Sequence, residues 1–256
     1  MNSWLKKGVG VGLFLLIWEG IALSGLVSNR YFPTVTQIVL AAREMLQSGE
    51  LLQAEGHTLM RALVGLLLAV ALGVSFALLA AFYPLLERMW APLVEIMRSV
   101  PPAALVPLGI FALGLTPKLF IGIVVFAAII MVYMPALNAL TNTEPVQINL
   151  ARTLGYSRLE TLFVVRLPAA WPEIFTGIRV AAGSALIAAI VSEMLAGKDG
   201  LGFLLFDTAF SLRTSAMFAV LLTAALNGIL LNQLVVWARR PIAGWQDTLN
   251  RLGDAL

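Results

Sequence analysis

The chain has 256 residues, of which 60% are hydrophobic and only 12% are charged. A soluble domain carries about 25% charged residues, and a mean hydropathy of +0.91 would leave a soluble fold with large apolar patches exposed to water. The composition therefore excludes a soluble globular enzyme and a disordered chain. It predicts a membrane protein, and at about 20 residues per helix the length accommodates about six transmembrane helices.

The charged residues indicate a membrane surface rather than nucleic acid. The chain has 17 basic and 14 acidic residues, a net charge of +3, and no cysteine. A small basic excess in a membrane protein is typical of cytoplasmic loops. Without cysteine there is no disulfide, thiolate metal site or cysteine nucleophile. We predict no catalytic residue and no metal site in the chain.

Three uncharged segments are long enough to cross a membrane. Residues 62–82, 119–140 and 214–238 each exceed the stretch of about 18 apolar residues that indicates a transmembrane helix. Glycines within them are compatible with this interpretation because small residues allow close helix packing in lipid.

Three further segments, 8–29, 99–117 and 173–196, are predicted spans despite charges or prolines. The second contains Pro107 and is predicted to be a single kinked helix. The first follows Lys6-Lys7, which also suits a signal peptide. Its length and an internal glutamate favour the span.

The distribution of basic residues predicts the orientation. Six spans with a cytoplasmic N-terminus place eleven basic residues inside and six outside. This bias predicts a multi-pass protein with both termini cytoplasmic. The inside set is Lys6, Lys7, Arg88, Arg98, Arg152, Arg158, Arg166, Arg179, Arg239, Arg240 and Arg251, and the outside set is Arg30, Arg43, Arg61, Lys118, Lys198 and Arg213.

The first external loop, at about residues 30–58, is predicted to contain an amphipathic helix. Thr34 is its candidate N-cap, and Gly49 is expected to end it. His57, the only histidine, is predicted to be an ordinary residue of this loop. The apolar positions with helical spacing are Ile38, Val39, Ala42 and Leu46.

The sequence of the internal loop, residues 141–172, indicates a first short helix. Asn142 or Thr143 is expected to cap it, and Pro145 suits its first position. Gly155 stands where a helix end favours a left-handed residue. Val146, Leu150 and Leu154 recur four residues apart and share one face.

A second short helix is predicted two residues later. Ser157 and Glu160 have the spacing of a capping box, and the helix is expected to end at residues 166–168. An apolar ridge with basic flanks suits docking into a groove of a partner protein. The alternative is that both helices pack against their own bundle. The apolar residues of this second helix are Leu159, Leu162 and Phe163.

The same loop carries a family pattern. Asn149-Leu150-Ala151, Gly155, Val165 and Leu167-Pro168 stand at the spacing E-A-A, three residues, G, nine residues, I, one residue, L-P. The chain thus resembles the binding-protein-dependent ABC importer permeases, with asparagine, leucine and valine replacing the glutamate, first alanine and isoleucine. The resemblance to the family extends to residues 98–103, 151–158, 167–172 and 200–202. It is narrowed to the nitrate, sulfonate and taurine branch by residues 32–34 and 48–52.

The resemblance implies an all-α membrane protein: a type I importer permease bundle of six transmembrane helices with a cytoplasmic two-helix coupling loop. It implies a first helix and external amphipathic helix in residues 1–53, a permease domain in 54–238 and a cytoplasmic tail in 239–256. The ATPase-coupling residues would be Asn149, Leu150, Ala151, Gly155, Ser157, Arg158, Leu159, Glu160, Phe163, Leu167 and Pro168.

The resemblance also implies the partners. Two permease copies, as a homodimer, would form the pathway in the lipid bilayer of the bacterial inner membrane. Two ATP-binding subunits would dock from the cytoplasm, and a periplasmic binding protein would deliver the solute. The solute would be a small anion of the sulfonate, nitrate or taurine type. No cofactor is expected in this chain, and ATP and Mg²⁺ would bind to the partner ATPase.

A phosphate-binding loop is absent from the sequence. The only Gly-Lys pair, Gly197-Lys198, is followed by Asp199, and Ser192 occupies the position of the first glycine in G-x-x-x-x-G-K-[ST]. The chain itself is therefore not expected to bind ATP.

Polar residues within the spans are candidates for the transport pathway. Hydrogen bonding between helices is the alternative role for each of them. Glu19 lies mid-span at a cost of about 3 kcal/mol, and we expect it to make a structural hydrogen bond, with Asn227 or Arg179 as candidate partner. Glu193 either helps to form an outer gate or is structural. The candidate pathway residues are Ser99, Asn138, Ser184, Ser192 and Asn227.

Two other functions compete with an importer subunit. A secondary transporter or channel would need coupling-ion carboxylates or duplicated halves with broken helices, and only Glu19 lies deep in a span. An intramembrane serine protease would need a histidine base within the membrane, whereas His57 lies outside the predicted spans. The importer subunit is the favoured interpretation, with the secondary transporter or channel as the alternative.

Overall fold

The computed structural model describes the backbone of residues 3–25, 27–28 and 30–253 and the side chains of residues 9–10, 12–25, 27–28 and 30–239. All regular structure in these ranges is helical. The α-helices are α1 (Ser3–Leu23), α2 (Val35–Gln47), α3 (Glu50–Phe82), α4 (Pro84–Ser99), α5 (Val106–Leu113), α6 (Pro117–Thr141), α7 (Pro145–Thr153), α8 (Arg158–Glu160), α9 (Leu167–Ala196), α10 (Leu201–Phe210) and α11 (Thr214–Gly253). A 3₁₀ turn, Pro102–Leu105, precedes α5, and a π-helical segment, Thr161–Arg166, joins α8 to α9.

The described residues contain four helices that are long and apolar enough to span a membrane. A fifth span results if α4 and the segment Pro102–Leu113, which meet at an angle of 92°, are counted as one broken span. The sixth predicted span, residues 8–29, falls partly on residues outside the described set, and the count of six stays a prediction. The four helices are Glu50–Phe82, Pro117–Thr141, Arg158–Ala196 and Thr214–Arg239.

The predicted single helix over residues 99–117 is wrong. Helix α4 ends at Ser99, and Val100 and Pro101 are extended, with ψ of 120° and 127°. Two consecutive prolines cause the break, because each disfavours helical geometry in the residue before it. Pro107 causes no kink, since it lies in the first turn of α5, where no intrahelical N–H is needed.

The boundaries of the first two predicted spans also differ. Helix α1 ends at Leu23, followed by Gly25 at φ +73°, and so stops before residue 29. Helix α3 begins at Glu50, directly after Gly49 at φ +80°, so the predicted external loop is helical through its second half. A search for uncharged segments misses the start of α3 because its first turns contain charged residues. Since α3 begins at Glu50, His57 lies in a helix and not in a loop.

The chain divides into two compact units. The first comprises Met1–Thr58 and Glu193–Leu226, and the second comprises Leu59–Ser192 and Asn227–Leu256. In the first unit, Trp18 stacks on Phe32 with ring centroids 4.6 Å apart and donates its indole N–H to the Pro33 carbonyl at 3.0 Å. The buried core of this unit consists of Ile38, Met45, Leu51, Ala54, Leu201, Leu204, Ala216, Ala219 and Val220.

Glu19 has a structural role in the first unit. Its carboxylate accepts hydrogen bonds from the Val35 N–H at 2.5 Å and the Thr36 hydroxyl at 2.9 Å. Thr34 caps α2 as predicted, with Gln37 completing a capping box. The structural hydrogen bond predicted for Glu19 is therefore confirmed, but its partner is the amino end of α2 and not Asn227 or Arg179. A carboxylate stabilises this position because the first N–H groups of a helix lack intrahelical acceptors.

The second unit is packed through small residues. A Cβ added at Gly177 of α9 would lie 2.8 Å from the Met131 carbonyl oxygen of α6. A Cβ added at Gly73 of α3 would lie 3.0 Å from the Ile129 carbonyl oxygen, which also belongs to α6. These glycines therefore permit backbone contact between neighbouring helices, which is the usual basis of association in lipid.

Gly177→Ala is expected to destabilise the protein by about 1–3 kcal/mol because its Cβ would overlap the α6 backbone. Gly183→Ala, on the same helix, is the matched control, since no atom lies within 4 Å of the new Cβ. This control should be neutral or stabilising by up to about 1 kcal/mol through helix propensity. Thermal unfolding in detergent measures both effects, and equal unfolding midpoints would contradict the packing argument.

Candidate functional site

Helix α7 begins without a side-chain cap. Pro145 occupies its first turn, as predicted, but the N-cap residue is Glu144, whose side chain makes no capping hydrogen bond. The predicted caps Asn142 and Thr143 are wrong because both side chains bond to the end of α6. The Asn142 amide donates to the Asn138 side chain at 2.7 Å, and the Thr143 hydroxyl contacts the Leu140 carbonyl at 3.3 Å.

Gly155 ends α7 in a Schellman motif. Its φ is +81°, and its N–H donates to the Arg152 carbonyl at 3.0 Å. The Tyr156 N–H donates to the Ala151 carbonyl, also at 3.0 Å. This pair of hydrogen bonds satisfies the last carbonyls of the helix and requires a left-handed residue. The turn predicted at Gly155 is therefore confirmed.

The capping box predicted at the second helix is confirmed. The Ser157 N–H donates to the Glu160 carboxylate at 2.8 Å, and the Glu160 N–H donates to the Ser157 hydroxyl at 3.2 Å. Arg158–Ala196 has 39 residues, more than the roughly 20 that a membrane needs. Hydrogen bonds from the side chain and then the backbone of Ser157 lower the pKa of Glu160.

The predicted end of this second helix at residues 166–168 is wrong. The chain passes from α8 through the π-helical segment into α9 without a break. The Leu167 N–H donates to the Leu162 carbonyl, five residues earlier. Pro168 follows immediately and has no N–H to donate, so the change from π to α winding falls where the hydrogen-bond ladder is already interrupted.

Two apolar rows of the loop face outward. Leu150 is 59% exposed and Leu154 is 62% exposed, while the intervening Ala151 is buried. In the second row, Phe163 is exposed and Leu162 is buried. We call the exposed set the docking ridge, and it consists of Val146, Leu150, Leu154, Leu159 and Phe163. Of the other predicted coupling residues, Asn149, Arg158 and Pro168 are exposed and Leu167 is half-buried.

The predicted pathway residues have different environments. The Asn138 amide donates to the Glu173 carboxylate at 2.9 Å in an exposed position. Ser99 and Ser192 donate their hydroxyls to carbonyls of their own helices, and Ser184 is half-buried. Asn227 is 1% exposed, and its amide nitrogen has no acceptor among the described residues. The sequence predicted no role for Glu173, which is only the first residue of a predicted span.

A buried polar cluster lies in the first unit. Glu193, which is 0% exposed, accepts from the Thr58 hydroxyl at 2.7 Å and from the Gly202 N–H at 3.1 Å. The Leu201 N–H donates to the Thr58 hydroxyl at 2.7 Å. Gly200, at φ +95°, leaves room for this carboxylate. The cluster provides acceptors for the first two N–H groups of α10. No pattern in the sequence identifies Thr58 as one of its members.

His57 contacts an acidic residue of the same unit. Its Nδ1 lies 2.8 Å from the Asp199 carboxylate, and both side chains are about half exposed, at 49% and 44%. The prediction of an ordinary loop histidine is therefore wrong in position. Among the described residues, no group of three or more His, Asp or Glu side chains could hold a metal ion.

Comparison with known proteins identifies the family. Residues 69–243 match the family described as the binding-protein-dependent transport system inner membrane component. A Bacillus subtilis permease named for aliphatic sulfonate transport, SsuC, is 29% identical over 96% of this chain and 89% of its own length. The taurine transport system permease protein TauC of Escherichia coli is 29% identical over 92% of this chain and 87% of its own length.

A solved structure shares the fold. An inward-facing form of the MetNI methionine ABC transporter contains a chain that superposes with a TM-score of 0.68 at 18% identity, covering 77% of this chain and 98% of that chain. The chain belongs to the family of binding-protein-dependent transport system inner membrane components. It is thus a multi-pass permease subunit of an ABC importer, and the resemblance inferred from the loop pattern is confirmed.

Thr58→Val is expected to destabilise the protein by roughly 1–3 kcal/mol, because it leaves the Leu201 N–H and the Glu193 carboxylate each short of a buried partner. Thr208→Val is the matched control. Thr208 is equally buried, but its hydroxyl only adds a bond to the Leu204 carbonyl of its own helix. Thermal unfolding in detergent measures both variants, and a larger loss in Thr208→Val would refute a structural role for the cluster.

Proposed function

We propose that this permease subunit couples ATP hydrolysis on a separate chain to solute movement through the docking ridge. The main support is that five large apolar side chains face outward on this loop. Hydrogen bonds fix the loop at the Gly155 turn and at the Ser157 capping box. Exposure of such an apolar ridge to water is unfavourable unless a partner protein covers it. A groove on an ATP-binding subunit is the partner that membership of an ABC importer supports.

The connection between the loop and α9 supports mechanical coupling. Arg158–Ala196 is a continuous helix of 39 residues, so displacement of its loop end moves the membrane-spanning part as a lever. The Schellman turn at Gly155 fixes α7 to the start of this helix. A docked ATPase that grips both rows would therefore transmit its closure to the spans as a rigid-body motion.

Solute class is proposed from the relatives and one buried donor. The names of the two relatives specify aliphatic sulfonates and taurine, and we extend this to a small sulfonate-, nitrate- or taurine-like anion for this chain. The unpaired amide nitrogen of Asn227 suits an anionic oxygen, since buried donors require acceptors. Ser99, Asn138, Ser184 and Ser192 remain proposed pathway residues on the basis of polarity alone.

The proposed assembly contains a permease homodimer, two ATP-binding subunits that carry ATP and Mg²⁺, and a periplasmic binding protein. This chain contributes no ATPase site, because its only Gly-Lys pair lacks the phosphate-loop pattern. We propose six spans in the bacterial inner membrane with both termini cytoplasmic, supported by the bias of basic residues. The domain division at residues 1–53, 54–238 and 239–256 is part of this proposal.

Leu150→Glu is expected to lower copurification of the ATP-binding subunit by at least about tenfold, because a charge replaces an apolar contact at the centre of the docking ridge. Leu85→Glu makes the same change at an exposed leucine of α4, outside the loop, and should retain the ATPase. The measurement is the ATPase-to-permease ratio after affinity purification, with solute uptake in cells as a second readout.

Gly155→Val provides an independent test, since positive φ costs a β-branched residue roughly 1–2 kcal/mol. The variant should reach the membrane at normal levels and lose ATPase binding and uptake together. If Leu150→Glu and Gly155→Val both retain the ATPase, the ridge is not its docking site and the proposed coupling role is wrong.

Orientation is testable by cysteine labelling, since the natural chain has no cysteine. A membrane-impermeant maleimide should label Gln53→Cys in intact spheroplasts and should label Gln147→Cys only after the membrane is opened. Both positions are exposed, so burial does not limit the reaction. Labelling of Gln147→Cys from the outside would reverse the proposed topology without affecting the docking experiment.

A further inference from the structure

A basic cavity of about 330 Å³ lies in the second unit beside the docking ridge. Its walls come from the end of α3, from α7 and from the helix that starts at Arg158. Three arginines line it, Arg152, Arg158 and Arg166, together with Tyr156 and Thr161. Ala81, Phe82, Pro84, Ile148 and Leu162 supply the rest of the wall.

The positive charge of this cavity is not neutralised within the described part of the chain. No Asp or Glu lines the cavity. None of the three arginine side chains makes an ion pair or a hydrogen bond there, and the Nε of Arg166 is buried without an acceptor. Three guanidinium groups around one small space repel each other, and a buried donor without an acceptor is costly. Both effects favour occupation by an anion.

The position of the cavity indicates which anion. Ala81 and Phe82 are the last two residues of the membrane-length helix α3, and Arg166 directly precedes α9. The cavity therefore lies where two spans leave the apolar core, at the depth of the lipid headgroups. The wall also combines apolar side chains with arginines, as a phospholipid requires for its glycerol region and its phosphate.

We propose that this cavity binds the phosphate of an anionic phospholipid headgroup. Guanidinium groups bind phosphate oxygens through paired, charge-assisted hydrogen bonds. Basic pockets between spans are known to take such headgroups. A free phosphate-bearing solute or a carboxylate of a partner protein would satisfy the charge, but neither would use the apolar wall. The site is separate from the proposed solute pathway, and it involves the loop that also carries the docking ridge.

The test measures lipid retained by the purified full-length chain in detergent. Native mass spectrometry would count bound dioleoylphosphatidylglycerol and, separately, dioleoylphosphatidylcholine. The wild type should retain the anionic lipid preferentially, and Arg152→Gln and Arg166→Gln should each weaken its binding about fivefold. Arg88→Gln removes the same charge from an exposed position of α4 that does not line the cavity, and it should bind as the wild type does.

Several results would overturn the proposal. Equal loss in Arg88→Gln and Arg166→Gln would show general surface attraction, and equal retention of both lipids would show no preference for a net negative headgroup. Displacement of the lipid by millimolar inorganic phosphate would assign the cavity to a free anion.

A partner carboxylate is distinguished by adding the ATP-binding subunit. If the arginine variants lose that subunit but keep the lipid, the cavity belongs to the protein interface and the proposal fails. Arg166→Lys serves where Arg166→Gln does not fold. It retains the charge but not the paired hydrogen bonds, so it should keep part of the lipid binding, and complete loss would contradict a charge-based site. The lipid measurement is independent of the Leu150→Glu experiment, so failure of the lipid proposal would not affect the proposed coupling function.

Discussion

The requirement that every backbone N–H and C=O find a partner inside the protein constrains this structure more than any other interaction. No water is available in the apolar core of a bilayer, so a helix end there is costly unless it is capped. Helix ends outside the bilayer carry the same unpaired groups, and three of the breaks described above supply partners for them locally. Thr34 and Ser157 form capping boxes, and Gly155 forms a Schellman turn.

The same requirement accounts for the positions of Glu19 in α1 and Glu193 in α9. Glu19 accepts the Val35 N–H at the start of α2, and Glu193 accepts the Gly202 N–H at the start of α10. A carboxylate at a helix amino end is stabilised by unpaired N–H groups and by the helix dipole. Each carboxyl group thus supplies an acceptor to a helix N–H that has no partner within its own helix.

The loop between α6 and α9 separates two kinds of surface on a short stretch of chain. Helical spacing directs Leu150 and Leu154 outward, whereas Arg152 lines the basic cavity with Arg158 and Arg166. Residues two apart on a helix point in different directions, so one short helix serves both surfaces. Binding at the cavity and docking at the ridge would therefore both act on the orientation of α7.

The sequence by itself determined the features that depend on neighbouring residues: the apolar segments, the Ser157 capping box and the turn at Gly155. It failed at residues 99–117, where a count of uncharged residues outweighed the local effect of two consecutive prolines. Only the tertiary structure decided the partners of Glu19 and Glu193. These partners lie 16 and 135 residues away along the chain, and a buried carboxylate accepts any N–H or hydroxyl that the packing brings within reach. No periodicity or spacing encodes that choice, because it depends on which helix ends the folded chain places beside each carboxylate.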